Sequence, residues 1–287
     1  MKLLLTTLLL TFSFQLTAQD WKKETEEWKI SRVEALKQPH GWLSLIGMEW
    51  LNQGDNTIGS AKDNSIVLPH GTAHLGNFIV SGKSIDFIVK DDAAMTANDK
   101  SISNRIQVKM DSSGEPTVFK VDTFLFYVIE RGKPALRIKD SLAETRIQFK
   151  GLDYFPLSDD FRLKAEFHPY TPIKEVEIIN VLGLLSKETS PGYLSFELEG
   201  QPLKLDVLDA GDDYYVIFAD KTSGRSTYGP GRFLYVAKAK EDKQLYINFN
   251  RAYNPPCAFT DYSTCPLPPA QNRLPVFIKA GEKAYHH

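Results

Sequence analysis

From residue 56 onward, short apolar runs alternate with turn residues, a texture that predicts β-strands. Residues 65–68 end at Pro69, residues 77–80 end at Ser81-Gly82, residues 84–89 alternate, and residues 124–129 run into Arg131-Gly132. Residues 192–198, 214–218, 232–236 and 245–249 repeat the style. Before these, Trp21, Trp28, Val33 and Leu36 fall near one face of a 3.6-residue period with Lys and Glu between them. That spacing predicts a helix, and Pro39 stops it. Residues 40–51 hold Trp42 and Trp50 in an apolar stretch and read as a core wedge seating the helix on a sheet. Residues 151–189 are the least regular. Phe155-Pro156, His168-Pro169 and Thr171-Pro172 there predict loops or a crossover.

The pattern therefore predicts a mainly β chain: an N-terminal helix followed by one or two packed antiparallel β modules, sandwich or barrel. A boundary near residue 150 separates residues 19–150, the helix with a sandwich-like module, from residues 151–287. The latter form a second β module with a proline-rich C-terminal loop.

Residues 1–18 have a different character. Lys2 supplies a positive start, residues 3–14 a short apolar core, and Leu16-Thr17-Ala18 a small-residue cleavage site, the pattern of a secretory signal peptide. A membrane span needs roughly 20 apolar residues; this run is shorter, and Asp20-Trp21-Lys22-Lys23-Glu24 follows it. No Cys lies near the cleavage site for a lipid anchor. The expectation is a soluble exported protein, periplasmic or secreted, with no membrane span in its mature chain.

Charge narrows the partners. A formal net charge of −2 gives no reason to expect nucleic acid or an anionic membrane surface. Cys257 and Cys265 are the whole thiol inventory. Their even count, close spacing and expected oxidising compartment predict a disulfide. On the chain-entropy model it would stabilise by about 2.5 kcal/mol. A thiolate metal site would need further His or Cys ligands beside the pair, and none flanks it. No cofactor is expected.

The densest polar region is C-terminal. Asp220, Arg225, Tyr228 and Arg232 follow one another around a turn-like sequence, Asp220-Lys221-Thr222-Ser223-Gly224, that also reads as a plain hairpin. Asn250, Tyr253, Asn254, Asn272 and Arg273 then cluster among prolines and the cysteines. Their amide and guanidinium groups suit neutral or anionic oxygens. Gly-x-Ser-x-Gly, His-Glu-x-x-His and Walker-type sequences are absent.

Several segments resemble one family. They are Gly41-Trp42-Leu43-Ser44-Leu45, Asn56-Thr57-Ile58-Gly59-Ser60, Phe249-Asn250-Arg251-Ala252-Tyr253-Asn254-Pro255-Pro256-Cys257, Cys265-Pro266-Leu267-Pro268-Pro269 and Ala280-Gly281-Glu282-Lys283. The family is the bacterial and archaeal domain-of-unknown-function family 1684, and the resemblance runs from about Trp28 to Lys283. It implies no activity. Residues 56–90 also resemble the opening strands of a forkhead-associated β-sandwich. Ser60 stands where that pattern has Arg, so phosphopeptide reading is not expected.

Two functions fit. The first is a non-catalytic envelope protein binding a polar ligand (a glycan or peptide) or a protein partner through the C-terminal Asp/Arg/Tyr/Asn-rich region. The second is a hydrolase with Asp220 and Glu282 as acid and base and Arg232 stabilising charge. Convergence of these groups in a concave pocket would favour chemistry; dispersal into turns and caps would favour scaffolding.

Overall fold

The computed structural model describes residues 12–90, 94–239 and 244–286, with side chains from Trp21 onward. Most of the expected export signal, residues 1–11, lies outside the described residues. The protein is mostly β, with one N-terminal helix, α1 (Phe12–Lys37), followed by antiparallel sheets. No helix among the described residues is long and apolar enough to cross a membrane.

The chain divides into two compact units. The first comprises residues 36–150 with 259–264. Its strands are β1 (Leu45–Trp50), β2 (Gly54–Gly59), β3 (Ile66–Val67), β4 (Gly76–Ser81), β5 (Ser84–Val89) and β6 (Met95–Ala97). They continue as β7 (Lys100–Ile102), β8 (Arg105–Gln107), β9 (Phe119–Val121), β10 (Phe124–Arg131) and β11 (Lys133–Asp140). One sheet runs β1-β11-β10-β9-β6-β7 and the other β3-β2-β4-β5-β8. Alternation explains the core. Phe78, Phe87, Phe119 and Phe126 face inward and form one aromatic cluster, with Phe78 and Phe87 centroids 4.6 Å apart.

The second unit contains residues 151–258 and 265–286, together with α1 up to Ala35. Its strands are β12 (Arg162–Ile179), β13 (Leu185–Leu198), β14 (Gln201–Ala210), β15 (Asp213–Phe218), β16 (Arg232–Ala237) and β17 (Leu245–Asn248). They form one sheet in the order β16-β15-β14-β13-β12-β17, nearly barrel-shaped. Leu194, Leu205, Val207, Val216, Phe218, Ile247 and Phe249 fill its core. Helix α1 seats on this unit. Trp21 and Thr25 are buried, the Asn248 amide donates to Thr25 Oγ1 at 3.3 Å, and Trp28 packs against Tyr154 and Tyr253 at 6.5 and 6.4 Å.

Phe155-Pro156 lies outside any strand, as expected, but His168-Pro169 and Thr171-Pro172 lie within one. β12 spans 18 residues, and its pairing with β13 shifts register between Pro169 and Lys174. Pro169 and Pro172 lie at that irregularity, where a missing N–H costs the ladder least. Beyond it, residues 174–179 and 185–190 form an arm, and Ile178 and Val176 on it pack against Ile217 and Phe233.

The expected disulfide is not formed. The Cys257 backbone N–H donates to Cys265 Sγ at 3.1 Å and the Cys265 N–H to Cys257 Sγ at 3.2 Å. Each sulfur is thus directed at the other residue's backbone amide, and the two sulfurs are not at disulfide distance. The residues are neighbours, as their spacing suggested, but the loop is not covalently closed here.

Candidate functional site

The C-terminal polar region is built around a strap, residues 274–283, that crosses the second unit without joining its sheet. Leu274, Val276, Ile278 and Ala280 alternate inward and are buried. The strap's peptide groups need partners from elsewhere, because a buried carbonyl left bare is costly. Arg232, on β16, supplies them. Its guanidinium donates to the carbonyl oxygens of Ile278 at 3.0 Å and Glu282 at 3.4 Å, and to that of Ala280. It also pairs with Asp220 at 2.9 Å. Asp220 accepts from the Thr222 and Ile278 amides at 2.7 and 3.2 Å. Both side chains are 0% exposed. Burial pushes the Arg232 pKa down, and Asp220 opposes that shift. The pair is a staple, closed to any ligand.

Glu282 is also 0% exposed. Its carboxylate accepts from Arg32 Nε at 3.0 Å and from the Asn254 backbone N–H at 2.7 Å. Arg32 comes from α1, donates also to the Asn254 carbonyl at 2.9 Å, and lies 4.8 Å above the Tyr253 ring. Burial raises the Glu282 pKa against the opposing pull of Arg32 and the Asn254 amide. Tyr154, close by, is raised too, by burial first and then by the Glu282 charge. The hydrolase constellation of Asp220, Glu282 and Arg232 is therefore corrected: all three are sealed from water and committed to backbone and ion-pair partners. General acid–base work needs a group within reach of a substrate proton.

The asparagines act as backbone surrogates, each offering a donor and an acceptor. Asn272 accepts from the Asp206 N–H at 2.8 Å and donates to the Asp206 and Ile217 carbonyls at 2.9 Å. Asn250 does the same for Ser158, accepting at 3.0 Å and donating at 2.9 Å. The Asn254 side chain donates to the Lys283 carbonyl at 2.7 Å. Tyr228 donates to the Cys257 carbonyl at 3.0 Å. Arg225 and Arg273 are exposed, the former 5.8 Å from the Phe277 ring. The polar cluster thus disperses into caps and bridges.

A cavity of about 420 Å³ opens elsewhere on the second unit, between the β12–β13 arm and strands β14 to β16. Ile178, Leu208, Ile217 and Pro266 give it an apolar floor. Tyr215 and Tyr235 stand beside it with ring centroids 5.1 Å apart. Tyr235 is 51% exposed, and Tyr253 stacks behind it at 6.1 Å and 11°. Tyr253 is thus the one sequence-singled residue that supports this wall. Burial raises the Tyr215 hydroxyl, with Tyr253 and Tyr235 adding to the effect, so it stays protonated and able to donate.

Register assigns the polar lining. Ser186 is opposite Ile178, and Glu188 is opposite Val176, so both project to the side on which Ile178 and Val176 pack against β15 and β16. Asp209 and Thr189 also border the cavity. Asp209 is paired with Tyr214, on the opposite side of the strand from Leu208, and its carboxylate is held by Lys238. Glu188, Ser186, Tyr215 and Tyr235 were not singled out by sequence; the alternation within β13 and β15 was the signal that could have found them.

Two further clusters were also missed. Asp206 accepts from Tyr170, Lys174 and Gln271, each at 2.8 Å, and so fixes the irregularity in β12. Burial and the Asp206 carboxylate push Tyr170 up to about 12. His168 Nε2 lies 2.7 Å from Ser195 Oγ, with Glu166 3.8 Å from the same nitrogen. A hydrolytic triad requires the carboxylate on the other ring nitrogen, so this pair has no relay.

A search of curated proteins found no match. Among solved structures the chain is similar to an uncharacterized protein of Haloarcula marismortui, solved by NMR in solution. The two are 29% identical, the match covers 48% of this chain and 78% of that one, and the TM-score is 0.40. The comparisons give no support to the forkhead-associated resemblance of residues 56–90. Over residues 147–283, the greater part of the second unit, the chain matches the model of a protein family of unknown function, DUF1684.

Proposed function

We propose that this protein is an exported, non-catalytic binding protein whose ligand is a glycan held in the tyrosine-lined cavity of the second unit. One observation carries the reading. An open hollow of about 420 Å³ combines an exposed tyrosine face, an apolar floor and a few hydroxyl and carboxylate groups. Sugar rings present an apolar face bordered by hydroxyls, and such a hollow meets both. Tyr235 supplies the stacking surface, while Ser186, Glu188 and the protonated Tyr215 hydroxyl exchange hydrogen bonds with the ring substituents. The buried Asp220–Arg232 and Arg32–Glu282 pairs hold the frame on which the cavity is built.

Export rests on Lys2 and the apolar run after it. Gly41-Trp42-Leu43-Ser44-Leu45 and Asn56-Thr57-Ile58-Gly59-Ser60 support extending the family resemblance to about Trp28.

Binding is tested by NMR titration of the mature chain with neutral and charged oligosaccharides and with peptides of similar size. Glycan-induced shifts should centre on residues 186–188, 215 and 235 and vanish in Tyr235→Ala. Shifts by peptides alone, or shifts elsewhere, would overturn the reading. Cell fractionation with N-terminal sequencing tests export.

A further inference from the structure

The charge around the cavity is one-sided, and that narrows the ligand. Glu188 is the charged side chain that strand register directs at the hollow, and among the described residues no ion pair engages its carboxylate. Its neighbour Lys187 is on the opposite side of β13 and pairs with Glu175 at 2.7 Å. Lys238, the other nearby cation, is committed to the Asp209 carboxylate and the Gly211 carbonyl. Among the described residues, no Lys or Arg lines the cavity. Tyr215 and Tyr235 line the same hollow, and the quadrupole of an aromatic ring attracts cations to its face and not anions. A carboxylate lining the same hollow as two tyrosines, with no compensating base among the described lining residues, is a site for positive charge.

We infer that the ligand presents a protonated amine to Glu188 while its ring lies on Tyr235: an amino sugar in its free-amine form, not its N-acetylated or uncharged counterpart. This rests on the glycan reading above and deepens it. The half-open position of the cavity keeps Glu188 hydrated before binding, so the carboxylate carries no large burial penalty while it waits. On binding, the ammonium replaces water with a charge-assisted hydrogen bond and a cation–π contact. A neutral hydroxyl at the same position gives the weaker of the two kinds of hydrogen bond. An acetamido group is bulkier and brings no charge.

The test compares three tetrasaccharides, of glucosamine, N-acetylglucosamine and glucose, by calorimetry and NMR on the mature full chain and on Glu188→Gln and Tyr235→Ala. The glucosamine tetramer should bind at least about tenfold tighter than the other two, and Glu188→Gln should erase that margin. Added salt should reduce the margin, because it screens a partly exposed pair. Equal affinity for the three sugars, or a margin unaltered in Glu188→Gln, overturns the amine assignment and leaves the glycan reading standing. Absence of cavity shifts with all three overturns both. Circular dichroism of the exposed-site variant Glu188→Gln should match the parent, so loss of the margin reports on the charge and not on folding.

Discussion

Replacing Asp220 with alanine would strand a guanidinium that has no route to water. Arg232 and Asp220 are both 0% exposed at the side chain, and their contact is 2.9 Å. Breaking a buried pair by removing one partner costs about 3–5 kcal/mol. Two further amides, of Thr222 and Ile278, lose their acceptor in the same step, which moves the expectation toward the upper end. Set against a total stability of about 5–15 kcal/mol, this is a large share. For a cooperative unit of this size it corresponds to a fall in Tm on the order of 6–20 °C. Urea and thermal unfolding would measure the loss, and amide hydrogen exchange would locate it. Faster exchange should appear at Thr222 and Ile278 and along the strap that Arg232 holds. The double variant Asp220→Leu/Arg232→Met should recover only part of the loss, because the Ile278, Ala280 and Glu282 carbonyls then lack their donor. A Asp220→Ala protein within about 1 kcal/mol of the parent, with unchanged exchange at Ile278, would refute the staple argument.

Three more expectations follow from the geometry. Burial raises Glu282 above its ordinary 4.5, so the folded chain holds that proton more tightly than the unfolded one. Its contribution is complete below about pH 4.5 and declines as pH rises through the folded value; Glu282→Gln should flatten this part of the urea-midpoint profile, and parallel profiles would contradict it. Lys139 is lowered to about 8, by burial first and the Arg137 charge second. The unfolded chain keeps that proton up to about 10.5, so stability should gain with pH between roughly 8 and 10.5. The difference between parent and Lys139→Met should track the gain, and a difference that is constant with pH would refute it. Gly281 has φ +77° and a β-carbon there would lie 2.3 Å from the Ala252 carbonyl, whereas Gly200 has φ +73° and open space. Gly281→Ala should therefore cost more than the approximately 1–2 kcal/mol that backbone strain alone predicts for Gly200→Ala, and equal urea midpoints for the two variants would show that the clash relaxes freely.

The strands with strong alternation and clear turns were legible. Residues 84–89 are β5 in full, and the predicted runs at 214–218 and 232–236 lie within β15 and β16. The helix was legible from its apolar face, but its seat was not. Trp28 and Arg32 meet Tyr154, Tyr253 and Glu282, contacts separated by more than a hundred residues that no local period encodes. β12 was hidden because prolines read as breaks, although they fall at a register shift where pairing is already interrupted. The polar density of residues 220–273 was real, and the structure engages most of it with backbone and ion-pair partners. A strap outside the sheet needs side-chain donors and acceptors for its backbone, and composition does not distinguish that need from recognition. The cavity was missed for the opposite reason: Glu188 and Tyr235 are isolated in sequence and become neighbours of one hollow only when the arm and the sheet are assembled.

The pairing of Arg32 with Glu282, 250 residues apart, sets an order of events on the ribosome. Arg32 is synthesised 250 residues before the carboxylate it pairs with, and the strap that Arg232 must capture follows every strand of the sheet. The second unit cannot complete these contacts until residue 282 has emerged from the ribosome. Such long-range contacts form slowly, since a large loop must be ordered before they reward it. A nascent chain stalled before residue 274 would carry a helix without its Arg32–Glu282 pair and a sheet whose Arg232 lacks the strap carbonyls. Completion of the unit therefore waits on its last segment, and chains interrupted before that segment should be the more readily proteolysed.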